Sequence, residues 1–365
     1  GDQAMKVDVL VVGAGPAGSC VSRELAESGT DVLAIDRRKE IGYPVQCGEF
    51  LPTPDELRRI LPRSEEYGDL FEIEKSLIER ETPSIVLFGP KGIRYEMDFR
   101  GLTLDRRAFD KSLWMKAEKA GAKLMKEVKF QGLAAPHKAR TSAGEIEFKV
   151  LVGADGPLSK VRKSVGLPEP KALSQAVTAQ ATGDFDDKVK MYFGGVAPGG
   201  YAWIIPKRGR GNVGLGVQKG FSTEPLSSMM RRFVEGFEMK ISETAYGQVP
   251  ISGPVNRTSK GDAVIVGDAA GHVMATNGGG IPIAMICGRI AGRSIASTLK
   301  GAGSLSDYDK EWKRQILRPL ANAARTKSLA DMFFKTDRRL SFAMKVLRSR
   351  GLERAILCKR PFYLF

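Results

Sequence analysis

Short apolar runs and apolar residues at helical spacing mark the predicted elements at the start of the chain. Val9–Val12 is a four-residue apolar run, typical of a parallel strand that is buried on both faces. Apolar residues then recur at helical spacing over residues 17–25, Gly29 ends the helix, and a second apolar run stops at Asp36. Alternation of strand and helix predicts a parallel sheet with a crossover helix.

Three glycines separate the first strand from the first helix, in the pattern Gly13-x-Gly15-x-x-Gly18. Gly13 suits a tight turn, Gly15 allows a pyrophosphate to approach the backbone, and Gly18 lets the helix pack on the strand. The helix N-terminus offers N–H groups to phosphates, and Asp36 can accept hydrogen bonds from a ribose diol. Because strand, glycines, helix, strand and acid come in this order, we predict a dinucleotide-binding βαβ unit.

The middle of the chain is rich in strands. Residues 84–88 and 94–98 predict a hairpin, and four later runs are separated by Gly and Pro clusters, at 177–182, 188–193, 201–206 and 212–217. These runs predict an inserted antiparallel sheet. The expected fold is mixed α/β: a Rossmann-like nucleotide-binding domain (5–75, 101–165 and 253–300), an inserted antiparallel β-sheet substrate domain (76–100 and 166–252) and C-terminal helices (301–365).

Two later helices carry distinctive patterns. One begins near Gly280, and its small residues recur four apart, at Gly280, Ala284, Gly288 and Gly292. This spacing lets a helix approach another backbone or a flat ligand closely. The other has an apolar face of Leu340, Ala343, Met344 and Leu347, surrounded by Arg338, Arg339, Lys345 and Arg348. That face packs in the core or lies on a membrane surface.

Composition narrows the function classes. The 365 residues carry a net charge of +15, and the last 65 contain 15 Lys and Arg against 6 Asp and Glu. This basic region is a solvated surface, a site for an anionic membrane or phosphate headgroup, or a docking site for an acidic protein donor. Nucleic acid is not expected, because no basic run is interleaved with stacking aromatics. No apolar run reaches the ~18 residues of a spanning helix.

Cysteine and histidine usage argues against a metal site. The four cysteines are widely spaced without a C-x-x-C pattern, and the chain has two histidines. A zinc or iron–sulfur site, a disulfide framework and a serine triad are therefore not expected. We expect a reducing cytoplasmic location.

A second signature lies far from the glycines. Val264-Ile-Val-Gly267-Asp268, with Gly278-Gly279-Gly280-Ile281 after it, resembles the flavoproteins that share the p-hydroxybenzoate hydroxylase fold. The resemblance implies FAD as the cofactor, with Asp268 on the ribityl chain and the later glycines at the flavin. Leu104-Asp-Arg106 and Gly153-Ala-Asp155-Gly156 match further motifs of that group, and Arg106 is expected near the ribityl–phosphate region.

Within that group the chain resembles the geranylgeranyl reductase family of archaea and plants, and in particular its digeranylgeranylglycerophospholipid reductases. The similar motifs are Pro44-Val-x-Cys47-Gly48-Glu49 and Tyr201-x-Trp203-x-x-Pro206, and the resemblance covers roughly residues 5–299. It implies an FAD-dependent reductase of C=C bonds in geranylgeranyl chains of archaeal-type lipids. NAD(P)H or ferredoxin would supply electrons, and the enzyme would lie peripherally at the inner face of the cell membrane. The alternatives are an aromatic monooxygenase of the same fold and, in a different class, a flavin- or lipid-binding protein without turnover.

The chain departs from this family at two positions. Ala275 stands where the family usually has proline, which predicts a looser loop before Gly278. Phe50 stands where a small residue is common, which predicts less space beside the flavin.

The resemblance and the motifs together predict a site. We expect Cys47 to donate or relay a proton at the flavin face, with a role only in shaping the loop as the alternative. We expect Tyr201 and Trp203 to face an apolar tunnel, and the alternative is that both are ordinary aromatic residues of the sheet core. Glu49 is expected to be an exposed loop carboxylate, with a supporting acid as the alternative, and His272 is expected to be structural. The predicted catalytic residues are Cys47, Tyr201 and Trp203. The predicted cofactor-binding residues are Gly13, Gly15, Ala17, Gly18, Asp36, Arg37, Cys47, Gly48, Phe50, Arg106, Val128, Asp155, Gly156, Asp268, Gly279, Gly280 and Ile281.

Overall fold

Three β-sheets organise residues 5–361, the part of the chain that the computed structural model describes. The strands are β1 Met5–Lys6, β2 Val9–Val12, β3 Val32–Asp36, β4 Phe50–Pro52, β5 Ile78–Gly89, β6 Ile93–Leu104, β7 Lys123–Lys126, β8 Phe130–Ala135, β9 Lys138–Thr141, β10 Gly144–Glu147, β11 Val150–Gly153, β12 Leu173–Gly183, β13 Val189–Tyr192, β14 Tyr201–Pro206, β15 Gly211–Gln218, β16 Met239–Pro250, β17 Ser259–Lys260 and β18 Ala263–Ile265.

Helices connect and cover these sheets. They are α1 Pro16–Glu27, α2 Pro54–Ile60, α3 Arg106–Lys119, α4 Lys160–Val165, α5 Leu226–Glu235, α6 Ile281–Leu299, α7 Ser306–Trp312, α8 Arg318–Ala330 and α9 Asp337–Ile356. Short 3₁₀ turns occupy Gly68–Phe71, Lys75–Leu77, Pro90–Gly92 and Gly267–Ala270, and a π-turn occupies Lys313–Leu317.

A six-stranded sheet carries the predicted βαβ unit. Its order is β17-β18-β11-β2-β3-β7, and it is parallel from β18 to β7. All residues of β2 and β3 are buried, as expected for strands covered on both faces. The parallel sheet at the start of the chain and its return at 263–265 are thus confirmed.

The eight-stranded sheet faces it, in the order β16-β12-β15-β14-β13-β5-β6-β4. Its neighbours are antiparallel except β13 and β5, which pair in parallel. The predicted hairpin is present and longer than expected, while β16 was not predicted. Strand β4 and the end of β6, residues 101–104, pair here although we assigned them to the nucleotide-binding domain. The domain division itself stays a prediction.

Two predicted strands are wrong in extent. The sequence predicts one strand over 123–130 and one over 145–152, but each stretch divides between two sheets, because β8 and β10 join β9 and β1 in a four-stranded sheet. Glu127 has a left-handed backbone (φ 61°) between β7 and β8, which redirects the chain. Period-2 and apolar patterns do not show where a strand changes sheets.

The small-residue stripe of α6 packs against α1. A Cβ at Gly288 would lie 2.7 Å from the carbonyl oxygen of Ala17, and one at Gly292 would lie 2.5 Å from the Cβ of Glu24. The predicted close approach to another helix is therefore present at Gly288 and Gly292, whereas Gly280 and Ala284 line a cavity. Helix α9 buries Leu340 and Met344 in the core, so the expected core-facing side of this helix exists as well.

Candidate active site

One cavity of about 1300 Å³ lies between the carboxyl ends of the parallel strands and the face of the eight-stranded sheet. Single-ligand sites are typically ~300–1000 Å³, so this cavity has room for two ligands side by side. Of the predicted site residues, the following line it: Gly13, Gly15, Ala17, Asp36, Arg37, Cys47, Gly48, Phe50, Arg106, Val128, Asp155, Gly156, Tyr201, Trp203, Asp268, Gly279, Gly280 and Ile281. Gly18 lies behind this lining.

The loop of residues 13–18 forms a cradle at one end of the cavity. Gly13 has φ 103°, and a Cβ there would overlap the carbonyl of Ala154. A Cβ at Gly18 would overlap the carbonyl of Gly13, whereas one at Gly15 would meet nothing closer than 3.9 Å. Helix α1 starts at Gly15 without a side-chain cap. The open Gly15 face and the uncapped helix end suit a pyrophosphate.

Asp36 has partners within the protein, and the contact of its carboxylate with a ribose stays a prediction. Its carboxylate accepts hydrogen bonds from the backbone N–H of Ala14 (2.9 Å) and of Arg38 (2.8 Å) and pairs with the Arg38 guanidinium (2.9 Å). Burial opposes ionisation, but these bonds to Arg38 and Ala14 hold the pKa of Asp36 below its usual value. The sequence pattern indicated the exposed Arg37 and not Arg38, although a cation two residues after the acid was an available signal.

Asp268 and Arg106 lie together at the middle of the cavity. Burial raises the pKa of Asp268 to about 6, although the Arg106 guanidinium counteracts this. Arg106 donates to both carboxylate oxygens of Asp110, at 2.8 and 3.0 Å. Burial lowers the pKa of Arg106, but Asp110 and Cys47 together raise it above its usual value. The guanidinium is therefore the cation shared by Asp110, Cys47 and Asp268.

Asp155 uses its carboxylate to hold the start of α4. It accepts from the hydroxyl of Ser159 and from the backbone N–H groups of Lys160 (2.8 Å) and Val161 (3.2 Å). Val128 is buried, and its N–H donates to the carbonyl of Asp36 at 3.0 Å. Both residues line the cavity. The Asp155 carboxylate is bonded to the start of α4, so its main role is to hold its own loop in place.

The Cys47 loop, residues 46–50, lies on the other side of the cavity. The Cys47 thiol accepts from the backbone N–H of Glu49 at 3.2 Å, and the Cys47 carbonyl accepts from the side-chain amide of Asn212 at 2.7 Å. A Cβ at Gly48 would lie 2.9 Å from Ile205 and 3.6 Å from the indole nitrogen of Trp203. Glycine here lets the loop approach β14 closely.

The expectation for Glu49 was wrong, because its side chain is fully buried. Its carboxylate pairs with Lys207 at 2.9 Å and accepts from Gln180 (2.8 Å), Asn212 (2.9 Å) and the N–H of Arg106 (3.0 Å). Lys207 is 1% exposed. These partners stand 57 to 163 residues away in the chain, so no local pattern revealed them.

Tyr201 and Trp203 lie on β14 and face the cavity. The Tyr201 hydroxyl donates to the carbonyl of Asn277, and burial, with Cys47 nearby, raises the pKa of the phenol. Trp203 donates its indole N–H to Asn212 at 2.8 Å, and the two rings meet edge to face at 5.9 Å. Asn212, which sequence analysis missed, therefore binds both the Cys47 loop and Trp203.

Phe50 and His272 each pack near another aromatic ring. The Phe50 ring covers Gly101, where a Cβ would overlap it, and stands 6.1 Å from Phe99. His272 is buried, accepts from the N–H of Gly267 (3.2 Å) and packs edge to face on Trp312. Burial lowers the pKa of His272 to about 3, so the ring is neutral and supports the loop before Asp268.

Apolar side chains line the part of the cavity beyond Trp203. They come from the eight-stranded sheet and from α8, α9 and the turn between them, and include Met191, Phe193, Phe334, Leu340, Met344 and Leu347. Leu329, Phe342 and Val346 also line the cavity, yet each is more than half exposed. The passage therefore opens to the surface between α8 and α9, and its lining suits a hydrocarbon chain.

Comparisons with known proteins identify the family. Residues 6–45 match the FAD binding domain family, and residues 172–249 match the geranylgeranyl reductase catalytic domain. Digeranylgeranylglycerophospholipid reductase 1 of Methanopyrus kandleri is 33% identical, with 86% of this chain and 87% of that protein covered. The chain belongs to the geranylgeranyl reductase family. The digeranylgeranylglycerophospholipid reductase of Methanothrix thermoacetophila is also 33% identical, with 99% and 98% covered.

Solved structures agree with this family and its fold. A geranylgeranyl bacteriochlorophyll reductase-like protein from Thermoplasma acidophilum has a TM-score of 0.83 and 26% identity, covering 94% of this chain and 92% of that one. PqsL, a probable FAD-dependent monooxygenase from Pseudomonas aeruginosa, has a TM-score of 0.68 at 16% identity, covering 93% and 100%. At that identity PqsL shares the fold alone. FAD is the cofactor of this reductase family member.

Proposed function

We propose that this protein is an FAD-dependent reductase that hydrogenates the C=C bonds of geranylgeranyl chains in archaeal-type glycerolipids. The observation that carries the proposal is the continuity of one cavity. It runs from the glycine loop, past Cys47, Tyr201 and Trp203, into an apolar passage that is open at the surface. A cofactor at one end and a prenyl chain at the other would meet beside these three side chains.

The residues present fit FAD along the cavity. The open face of Gly15 and the start of α1 would take the pyrophosphate, and Arg38 with Val128 would border the adenosine. Asp268 and the start of α6 at Gly280 would hold the ribityl chain and flavin end. Bound and reduced, FAD supplies the hydride for C=C reduction.

The chain itself has to align the double bond, exclude water and supply a proton to the second carbon. The Cys47 thiol is the proposed proton donor, since it faces the cavity beside the Arg106 guanidinium. Tyr201 and Trp203 form the cavity wall beside the Cys47 loop. Asn212 fixes Cys47 and Trp203 relative to each other.

The proposal also includes the electron donor and the cellular location. The sequence has a single dinucleotide fingerprint, which FAD would use, so we propose that NAD(P)H docks transiently or that an acidic ferredoxin approaches the basic surface. We place the enzyme peripherally at the inner face of the cell membrane, where the lipid substrate lies. Within residues 5–361 no helix is long and apolar enough to cross a bilayer.

A single-turnover assay tests the function. The flavoprotein is reduced anaerobically with dithionite and mixed with digeranylgeranylglycerophosphate in detergent. Flavin reoxidation should accompany a lipid product heavier by two hydrogen atoms for each reduced bond. A flavin that stays reduced sinks the proposal; oxygen consumption stimulated by a small aromatic with NAD(P)H would favour the monooxygenase instead.

A further inference from the structure

Four large apolar side chains are exposed on α8, on α9 and in the turn between them, and three of these four side chains also line the apolar passage. Leu329 is 55% exposed, Met332 52%, Phe342 64% and Val346 51%. We name these four residues the mouth surface. Phe342 and Val346 are neighbours one turn apart on α9, while Leu329 ends α8 and Met332 lies in the turn that follows. Exposed apolar residues that are clustered mark an interaction site.

Positive charge surrounds the mouth surface. Residues 329–348 contain five Lys and Arg and two Asp. The cations Lys335, Arg338, Arg339, Lys345 and Arg348 are all exposed. Both aspartates already have partners, since Asp331 pairs with Lys327 and Asp337 accepts from the N–H of Gly195 at 2.9 Å. The face as a whole therefore presents a net positive charge around an apolar centre.

We infer that this face docks on an anionic lipid bilayer, with the mouth surface inserted among the acyl chains and the cations on the headgroups. Apolar residues ringed by Lys and Arg match the layers of such a surface. Leu329, Phe342 and Val346 belong both to the mouth surface and to the cavity lining. A prenyl chain could therefore pass from bilayer to cavity without crossing water, which an acidic protein partner would not explain.

This inference deepens the proposed function, from which it takes the lipid substrate, but its main readout is vesicle binding, which requires no turnover. The full chain with FAD bound is floated with vesicles of equal phosphatidylglycerol and phosphatidylcholine, and with vesicles of phosphatidylcholine alone. We expect binding to the anionic vesicles that weakens several-fold between low and high salt, because screening shortens the reach of the cations. Leu329→Ser/Phe342→Ser/Val346→Ser should bind at least about tenfold more weakly.

Two further variants separate the contributions. Arg338→Gln/Arg339→Gln/Lys345→Gln should lose the preference for anionic vesicles, because these side chains lie outside the cavity lining. Met115→Ser/Leu133→Ser removes exposed apolar side chains elsewhere on the surface and should bind as the parent does.

Three results would overturn the inference. The first is a parent chain that binds neither kind of vesicle, and the second is a triple serine variant that binds vesicles as strongly as the parent does. The third is a loss of binding in Met115→Ser/Leu133→Ser as large as the loss in the triple serine variant. Sedimentation of each protein without lipid is the remaining check. A parent dimer that becomes a monomer on serine substitution would assign the mouth surface to a second copy. Retained reductase activity in detergent alongside failed flotation would reject the docking face and keep the proposed function.

Discussion

Two loops border the cavity, and they are held in place by opposite means. The loop of residues 13–18 is held by the absence of side chains: Gly13 and Gly18 let backbones meet directly. The Cys47 loop is held by buried polar groups: Glu49, Lys207, Gln180 and Asn212 form a network beneath it. A cradle for phosphates needs bare backbone, whereas a loop that carries a reacting side chain needs directional support on its far side.

The two modes of support differ in how they fail. Where two backbones are in contact, an added side-chain atom clashes with the neighbouring backbone. The resulting loss of stability is steric, and a second substitution cannot restore it. A buried ion pair has a large desolvation cost that its own attraction offsets, so removing one partner is severe while removing both charges is mild. This difference can be tested at single positions.

The largest effect is expected at Gly18. Gly18→Ala places a Cβ onto the carbonyl of Gly13 and should lower the free energy of unfolding by about 4 kcal/mol or more. Gly15→Ala is the matched control, because a Cβ there meets nothing closer than 3.9 Å. It should keep the stability of the apoprotein but weaken FAD binding. Urea unfolding and flavin titration measure the two; equal stability loss in both variants would contradict the steric account.

The buried pair comes next. Lys207→Met leaves the Glu49 carboxylate uncompensated and should cost about 3–5 kcal/mol of unfolding free energy, while Glu49→Gln/Lys207→Met should recover most of it. Lys188→Met is the control, since its pair with Glu96 is at the surface and its loss should leave the unfolding free energy almost unchanged. A double variant as unstable as Lys207→Met would show that the network acts through packing and not through charge.

Substitution of Cys47 tests the proposed role of its thiol as the proton donor. Cys47→Ala and Cys47→Ser should lower kcat by about 10²-fold with FAD still bound, because the proton donor is lost. Cys20→Ala, a buried core cysteine on α1, should leave kcat close to that of the parent. Single-turnover reoxidation of the reduced flavin measures the effect. Unchanged kcat in the Cys47 variants would restrict this residue to shaping the loop.

The smallest effect concerns Asp268. Its folded-state pKa of about 6 lies above the usual 3.8, so ionisation destabilises the folded apoprotein above this range and the penalty disappears as the pH falls toward 4. Asp268→Asn lacks the penalty. It should be more stable than the parent at pH 7.5, with a gap that narrows toward pH 4.5. A gap that is independent of pH in urea unfolding would contradict the assignment.

Part of the site could be predicted from the sequence, namely the glycine loop and the two aromatic residues, whereas Asn212 and Arg38 were missed. Glycine spacing predicted the cradle, and the Tyr-x-Trp pattern placed both aromatics on one face of a strand, because alternate strand residues point to the same side. Asn212 carried no such signal, although it joins Cys47 to Trp203. Arg38 was missed for a different reason, since the ordinary partner of an acid at this position is a ribose and not a cation.

The sequence by itself determined the βαβ unit, the inserted sheet, the helix stripe on α6 and the family, because spacing along the chain sets local geometry directly. Only the tertiary structure decided that Glu49 is buried against Lys207 and that Phe342 and Val346 stay exposed at a cavity mouth. A side chain's burial depends on partners that arrive from far along the chain. The identity of a loop carboxylate or of a helix-face phenylalanine does not contain that information.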